Sequence, residues 1–192
     1  MRWLLVVALP LALLWCARGA PGLVVAERDF GELVEQSEFI VEGTVASIEE
    51  APDATGIQRT LVTLNRLVLH KGAWPSPEFV LDIFGGTKNG LRAQVLDLPA
   101  FAVGERVMVF VRGNGREVFP VVGIHQGYFR IVPSEGGGQE VVRCDGLPVV
   151  AREQRNLRFA PRAARARAKG VSLEEFRRWI GDQLRQGSGG VR

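Results

Sequence analysis

Cysteine and histidine are scarce in this chain, which holds Cys16 and Cys144, His70 and His125, and no others of either type. Each scarcity excludes a class of chemistry. A zinc site draws on three or four Cys, His or acidic ligands at short spacings. The two histidines lie far apart with no ligand-spaced neighbour, so neither a metal ion nor a cofactor is expected. Nucleophilic catalysis needs a serine or thiol beside an oriented base. None of Ser37, Ser47, Ser76, Ser134, Ser172 or Ser188 has the G-x-S-x-G setting of a nucleophile elbow, and "RCDG" around Cys144 reads as a turn. Long apolar runs are missing as well. The longest, "WLLVVALPLALLW" at 3–15, is interrupted by Pro10 and falls short of the roughly 18 apolar residues a spanning helix wants.

That run follows Arg2 and precedes the small residues Ala17, Gly19 and Ala20, the layout of a secretory leader. Residues 1–19 are therefore expected to be removed, leaving an exported chain, periplasmic or secreted, that starts at Ala20 and has no transmembrane segment. "LLWC" partly resembles a lipoprotein box, but Trp15 stands where a small residue is needed before Cys16. Loss of the leader leaves Cys144 alone, as a buried small hydrophobe, a free reactive thiol or half of a bridge between chains.

Charge divides the rest. Residues 20–151 carry 11 Lys and Arg against 17 Asp and Glu, whereas residues 152–192 carry 11 against 4. The basic excess is concentrated in "REQRNLRFAPRAARARAKG", which reads as a linker over 152–170, helical in part, that can fold back on the acidic portion of the same chain or meet an anionic partner. Phe159 is its one aromatic residue, too few for stacking on nucleic-acid bases, and no nucleic-acid partner is expected.

Between these ends the pattern is β. Segments 38–50, 60–72, 79–86, 106–113, 117–123, 127–132, 139–144 and 147–151 are short, rich in Val, Ile, Phe and Thr, and set apart by Gly, Pro and Asn. Asp145-Gly146 and Asn114-Gly115 predict two-residue hairpin turns with both central residues at positive φ. Segment 60–72, apolar at Leu61, Leu67 and Leu69 on one face and at Val62, Leu64 and Val68 on the other, predicts a strand covered on both sides. A short helix is expected ahead of the sheet, capped by Asp29, with Phe30, Leu33 and Val34 at helical spacing and its end near Ser37. A second, amphipathic helix over 171–186 has a capping pair in Ser172 and Glu175 and a stripe of Leu173, Phe176, Trp179, Ile180 and Leu184. The stripe is expected to dock on the sheet, with 187–192 as a tail. The fold class is mainly β: a small OB-like barrel over 20–151, closed or partly open, flanked by two helices.

"GIHQGYFRI" at 123–131 gathers His125, Gln126 and Tyr128. Alternation puts Ile124, Gln126 and Tyr128 on one face and His125, Gly127, Phe129 and Ile131 on the other, unless Gly127 hosts a bulge. Glycine within a strand marks a bulge, a sharp bend or a close backbone approach. "FGGTKNG" at 84–90 supplies Lys88 but lacks the glycine spacing and following helix of a phosphate loop. Its reading is a hairpin or barrel-mouth loop. His125, Gln126, Tyr128 and Lys88 are the candidate binding residues, and no catalytic residue is assigned.

The succession "FIVEGTVASIEE", "TLVTLNRLVLHKG", "FAVGERVMVFV" resembles netrin-like modules and tissue inhibitors of metalloproteinases, and also uncharacterised exported bacterial β-barrel proteins that lack their cysteines. The resemblance covers Phe39 to about Val132 and implies the OB-type barrel alone. The family's inhibitory route, a cysteine amine on a catalytic zinc, does not carry over to a chain expected to begin at Ala20. An exported non-enzymatic binding or structural module of unidentified ligand is the expected function, with another exported protein as the expected partner. The alternatives are an envelope scaffold whose basic segment meets anionic partners and a hydrolase with its site at the barrel mouth.

Overall fold

The computed structural model describes the backbone of residues 27–88, 91–93 and 99–188. The leader, Cys16, the expected start at Ala20, the Lys88 side chain and the tail beyond 188 lie outside the described residues.

The chain is mainly β. A six-stranded antiparallel sheet has the order β3-β2-β1-β6-β7-β8, built from β1 (Phe39–Pro52), β2 (Gln58–Lys71), β3 (Phe79–Phe84), β6 (Arg106–Val111), β7 (Tyr128–Pro133) and β8 (Gln139–Arg143). Two hairpins stand apart from it, β4 (Gly86–Lys88) with β5 (Leu91–Ala93), and β9 (Val149–Glu153) with β10 (Asn156–Phe159). Helix α1 (Phe30–Gln36) precedes the sheet and α2 (Leu173–Ser188) follows it.

Both faces of the sheet are packed, and β6 shows the division. Its odd members Val107, Val109 and Val111 join Val41, Val45, Leu64, Phe79 and Tyr128 in one core. Its even members Met108 and Phe110 join Phe129, Ile131 and the helical residues Phe30, Leu33, Phe176, Trp179 and Ile180 in the other. Period-2 alternation thus serves two cores at once.

The helices form as their caps dictate. Asp29 accepts from Glu32 N at 2.7 Å while Glu32 accepts from Asp29 N at 3.0 Å, a complete capping box. Ser172 Oγ accepts from Glu175 N at 3.1 Å. The stripe of α2 docks as expected, with Phe176 centred 5.4 Å from Phe30 and 4.9 Å from Phe129. An ionic clamp accompanies the apolar contact. Arg177 donates to Glu42 of β1 through Nε at 2.9 Å and Nη2 at 2.8 Å. Arg106 of β6 also donates to that carboxylate, and His70 Nε2 of β2 lies 3.2 Å away. The Glu42 side chain is only 1% exposed, so four elements converge on one buried charge.

Several expectations are corrected. The sheet does not close: among the described residues β3 and β8 are its two outer strands and do not pair with each other. A side chain and a loop cover the β3 edge instead. Asn114 Oδ1 accepts from Asp82 N at 2.9 Å, Asn114 Nδ2 donates to Val80 O at 2.7 Å, and Val118 O accepts from Phe84 N at 3.0 Å. At the β8 edge, Val141 N donates to Val171 O at 3.1 Å.

Residues 117–123 are not a strand. Pro120 offers no N–H to a ladder, and pairing is reduced to a single bridge between Val111 and Val121. Asn114-Gly115 consequently sits in an irregular loop and turns no hairpin. Asp145-Gly146 belongs to a three-residue loop over 144–146, closed by Gly146 N to Arg143 O at 2.7 Å and Arg143 N to Leu147 O at 2.9 Å. Of that loop only Gly146 has a positive φ, +78°, the pattern of a type I turn followed by a glycine bulge.

Strand β2 is covered on one side. Arg66 adopts φ +51° and the register slips there, Glu42 pairing Val68 but Thr44 pairing Asn65. The bulge inverts the alternation, so Leu67 and Leu69 pack with the core that holds Val62 and Leu64, while Val68 is exposed. The expected strand 79–86 ends at Phe84. Part of the basic stretch expected as linker forms the β9–β10 hairpin, and within "RAARARAK" only Arg162–Ala164 is helical, as a single 3-10 turn.

Candidate functional site

The segment 122–127 turns rather than extends, which corrects the strand expected there. Gly123 at φ +64° and Ile124 at φ +57° hold left-handed conformations. Gly127 is present for close approach: a Cβ on it would stand 2.4 Å from Val122 O and 3.1 Å from Phe110 Cβ. With the strand beginning only at Tyr128, the expected faces separate. Ile124 and Tyr128 stay with one core and Phe129 and Ile131 with the other. Gln126 and His125 leave both.

Tyr128 is fully buried. Its ring stacks on Phe101 with centroids 4.5 Å apart, and its hydroxyl lies 3.3 Å from Glu105 Oε2 and 3.4 Å from Ala100 O. Burial raises its pKa above the ordinary phenol value, with the neighbouring Glu105 charge acting in the same direction. Tyr128 is a hydrogen-bonded piece of core, and Glu105 is held in turn by Arg130 Nη1 at 3.2 Å. Gln126 reaches away from Tyr128, its Oε1 accepting from Arg28 N at 2.7 Å. Lys88 ends β4, in the hairpin apart from the main sheet.

His125 meets a residue that the sequence spacing gave no reason to pair with it. Cys144 Sγ lies 3.4 Å from His125 Nδ1 and 3.4 Å from His125 O, and Cys144 N donates to Tyr128 O at 3.0 Å. A thiol beside an imidazole invites comparison with a nucleophile and its base. The environment opposes that chemistry: burial pushes the thiol's pKa up and the Asp145 charge pushes it further, against the attraction of Arg143. Activated cysteines have depressed values in electropositive settings. Cys144 therefore stays a neutral thiol at pH 7, a weak donor tying the 122–127 loop to the β8 turn. Arg143, next in sequence, forms a two-point pair with Asp145 at 3.1 and 2.7 Å and lies over the Phe159 ring at 4.5 Å.

On the other side of Arg143 opens a cleft of about 420 Å³, counting the space continuous with solvent. Phe30, Leu33, Leu157 and Phe159 give it apolar walls, and Glu27, Arg28, Gln126, Arg143 and Asn156 supply polar groups. Apolar side chains beside placed polar groups are the general make-up of ligand sites, and this cleft joins the two as a shallow surface depression. Of the four candidate residues the structure brings one, Gln126, to this cleft. Arg143 and Phe159 escaped the sequence reading because only the fold joins β8, β10 and the chain ahead of α1. No group of three or more Cys, His, Asp or Glu residues among the described residues is arranged to hold a metal ion, and no described helix is long and apolar enough to cross a membrane.

Comparison with family models, with curated proteins and with solved structures gives no match to this chain.

Proposed function

We propose that this chain is an exported, non-enzymatic binding module on an OB-like, partly open barrel, and that it takes a segment of another exported protein in the cleft between α1, β10 and the 122–127 loop. The cleft carries the reading: it joins apolar walls to a polar rim, while burial keeps the Cys144 thiol beside His125 from the ionised form a nucleophile needs. The open sheet and its two flanking helices support the partly open form of the barrel. Export rests on the apolar run at 3–15 behind Arg2.

Capture of the chain with its partners from the exported fraction, compared with Leu157→Glu, tests this. A charge placed in the cleft wall is expected to abolish capture while the circular-dichroism spectrum stays that of the folded chain, even as the packing of Leu157 against the core costs some stability. Turnover of a hydrolase substrate that disappears in Cys144→Ser or His125→Ala would overturn the non-enzymatic reading. Capture unchanged in Leu157→Glu would remove the cleft from it.

A further inference from the structure

The basic run after the sheet divides into two groups. The first three arginines are engaged with acids of their own chain. Arg152 lies 3.8 Å from Asp182, Arg155 pairs with Asp29 at 3.1 Å and Glu35 at 3.0 Å, and Arg158 lies 3.5 Å from Glu153. Of the next four, Arg162 alone reaches a described carboxylate. Arg162 is 86% exposed and reaches a carboxylate, that of Asp145, only at 3.9 Å. Arg165, Arg167 and Lys169 are exposed and make no ion pair with a described carboxylate. Glu135 lies with Arg167 and Lys169 along an open groove without pairing to either.

These four cations are held on an ordered ridge. At one end Ala160 N donates to Pro148 O at 2.9 Å, and at the other Gly170 N donates to Glu140 Oε2 at 2.7 Å and Val171 N to Val149 O at 2.7 Å. Between them Arg167 N and Ala168 N both donate to Ala164 O at 2.9 Å. Arg165 lies across the β8 turn so closely that a Cβ on Gly146 would come within 2.1 Å of its guanidinium. The ridge therefore presents its charge from a backbone that is already ordered, leaving only the exposed side chains to settle on binding.

We propose that the ridge Arg162–Lys169 is a docking surface for an anionic lipid bilayer. The residues between the cations are Ala163, Ala164, Ala166 and Ala168. They offer no aromatic ring to stack on a base and no large anchor to fill a pocket on a protein partner. What remains is attraction between four cations and a surface of negative charge. Headgroups that move laterally can match the spacing of the cations, whereas a folded acidic protein would have to be built to it. Clusters of four or more basic residues near a membrane have this use, each adding a comparable increment of affinity. The ridge is separate from the cleft of the proposed function and does not rest on it.

The test is co-sedimentation of the full chain with phosphatidylglycerol-containing vesicles and with pure phosphatidylcholine vesicles, at low and at high salt. An apolar segment such as 3–15 partitions into both, so the difference between the two lipids is the readout. The chain is expected to prefer the anionic vesicles at low salt and to lose the preference at high salt. Arg162→Gln, Arg165→Gln, Arg167→Gln and Lys169→Gln together are expected to lower the preference by about a hundredfold or more. An all-lysine variant of the ridge, which keeps the charge, should bind as the parent does, and this separates lost charge from lost fold. Equal binding to both lipids, or a preference that survives the glutamine substitutions, would overturn the proposal. So would an absence of vesicle binding with capture by polyglutamate, which would assign the ridge to acidic polymers.

Discussion

Among the described residues Glu42 is the one charged residue that is buried. Burial alone would raise its pKa, yet the hydrogen bonds from His70, Arg177 and Arg106 and the Arg177 charge together hold it near 2, against an ordinary 4.5. The folded value lies below the unfolded one, so the ionised carboxylate stabilises the fold fully above about pH 5, and that contribution drains away as pH falls through 4.5 toward 2. A shift of this size corresponds to about 3 kcal/mol. Glu42→Gln leaves Arg106 and Arg177 unpaired, but each is 34% exposed and can turn to water, so the loss at pH 7 should not exceed about 3 kcal/mol. Urea unfolding of both proteins as a function of pH checks this: the gap between them should be flat near neutrality and narrow below about pH 4.5. A gap that widened on acidification would contradict the clamp. The sequence contained a hint of Glu42, a charge inside the apolar run "FIVEGTV". Its partners could not be read there, because Arg177 is brought to it by the docking of a helix 135 residues away.

At the level of elements, legibility followed the range of the interactions. Helix α1, its Asp29 cap and the docking stripe of α2 are written in spacings of three and four residues, and they formed as expected. The strand at 117–123 was misread because β propensity is an average over side chains, whereas Pro120 removes one particular donor. The face assignment of β2 failed at Arg66, where a single left-handed residue inverts everything that follows. A bulge of that kind leaves no periodic trace. The Cys144–His125 contact depends on two loops from different strands and was equally invisible. The docked helix has a direct test. Trp179, 9% exposed, sits beside Phe176 with Arg152 over its ring. Trp179→Ala is expected to remove about 3–5 kcal/mol of stability, read from the shift in urea midpoint. Truncation after Gly170 should lower the melting temperature and expose the Phe30–Phe129 core to a hydrophobic dye. An unchanged melting temperature would mean that α2 adds nothing to the fold.

For the molecule as a whole, an open sheet has two borders, and the way this chain treats one of them reaches beyond the single folded copy. The backbone of β3 at Val80 and Asp82 is occupied by the amide of Asn114, which presents one acceptor and one donor where another strand would present its own. An amide in that place ends the sheet without extending it. In Asn114→Ala the Val80 carbonyl and the Asp82 N–H would lose those partners, and an unpaired strand edge is a template for a second chain. The monomer should lose only a modest amount of stability, on the order of 1–3 kcal/mol. Light scattering of concentrated solutions near the onset of unfolding should nonetheless rise steeply with protein concentration in the variant and stay flat in the parent. Asn114 would then matter less for how firmly one molecule folds than for keeping neighbouring molecules apart, a colloidal role carried by one side chain.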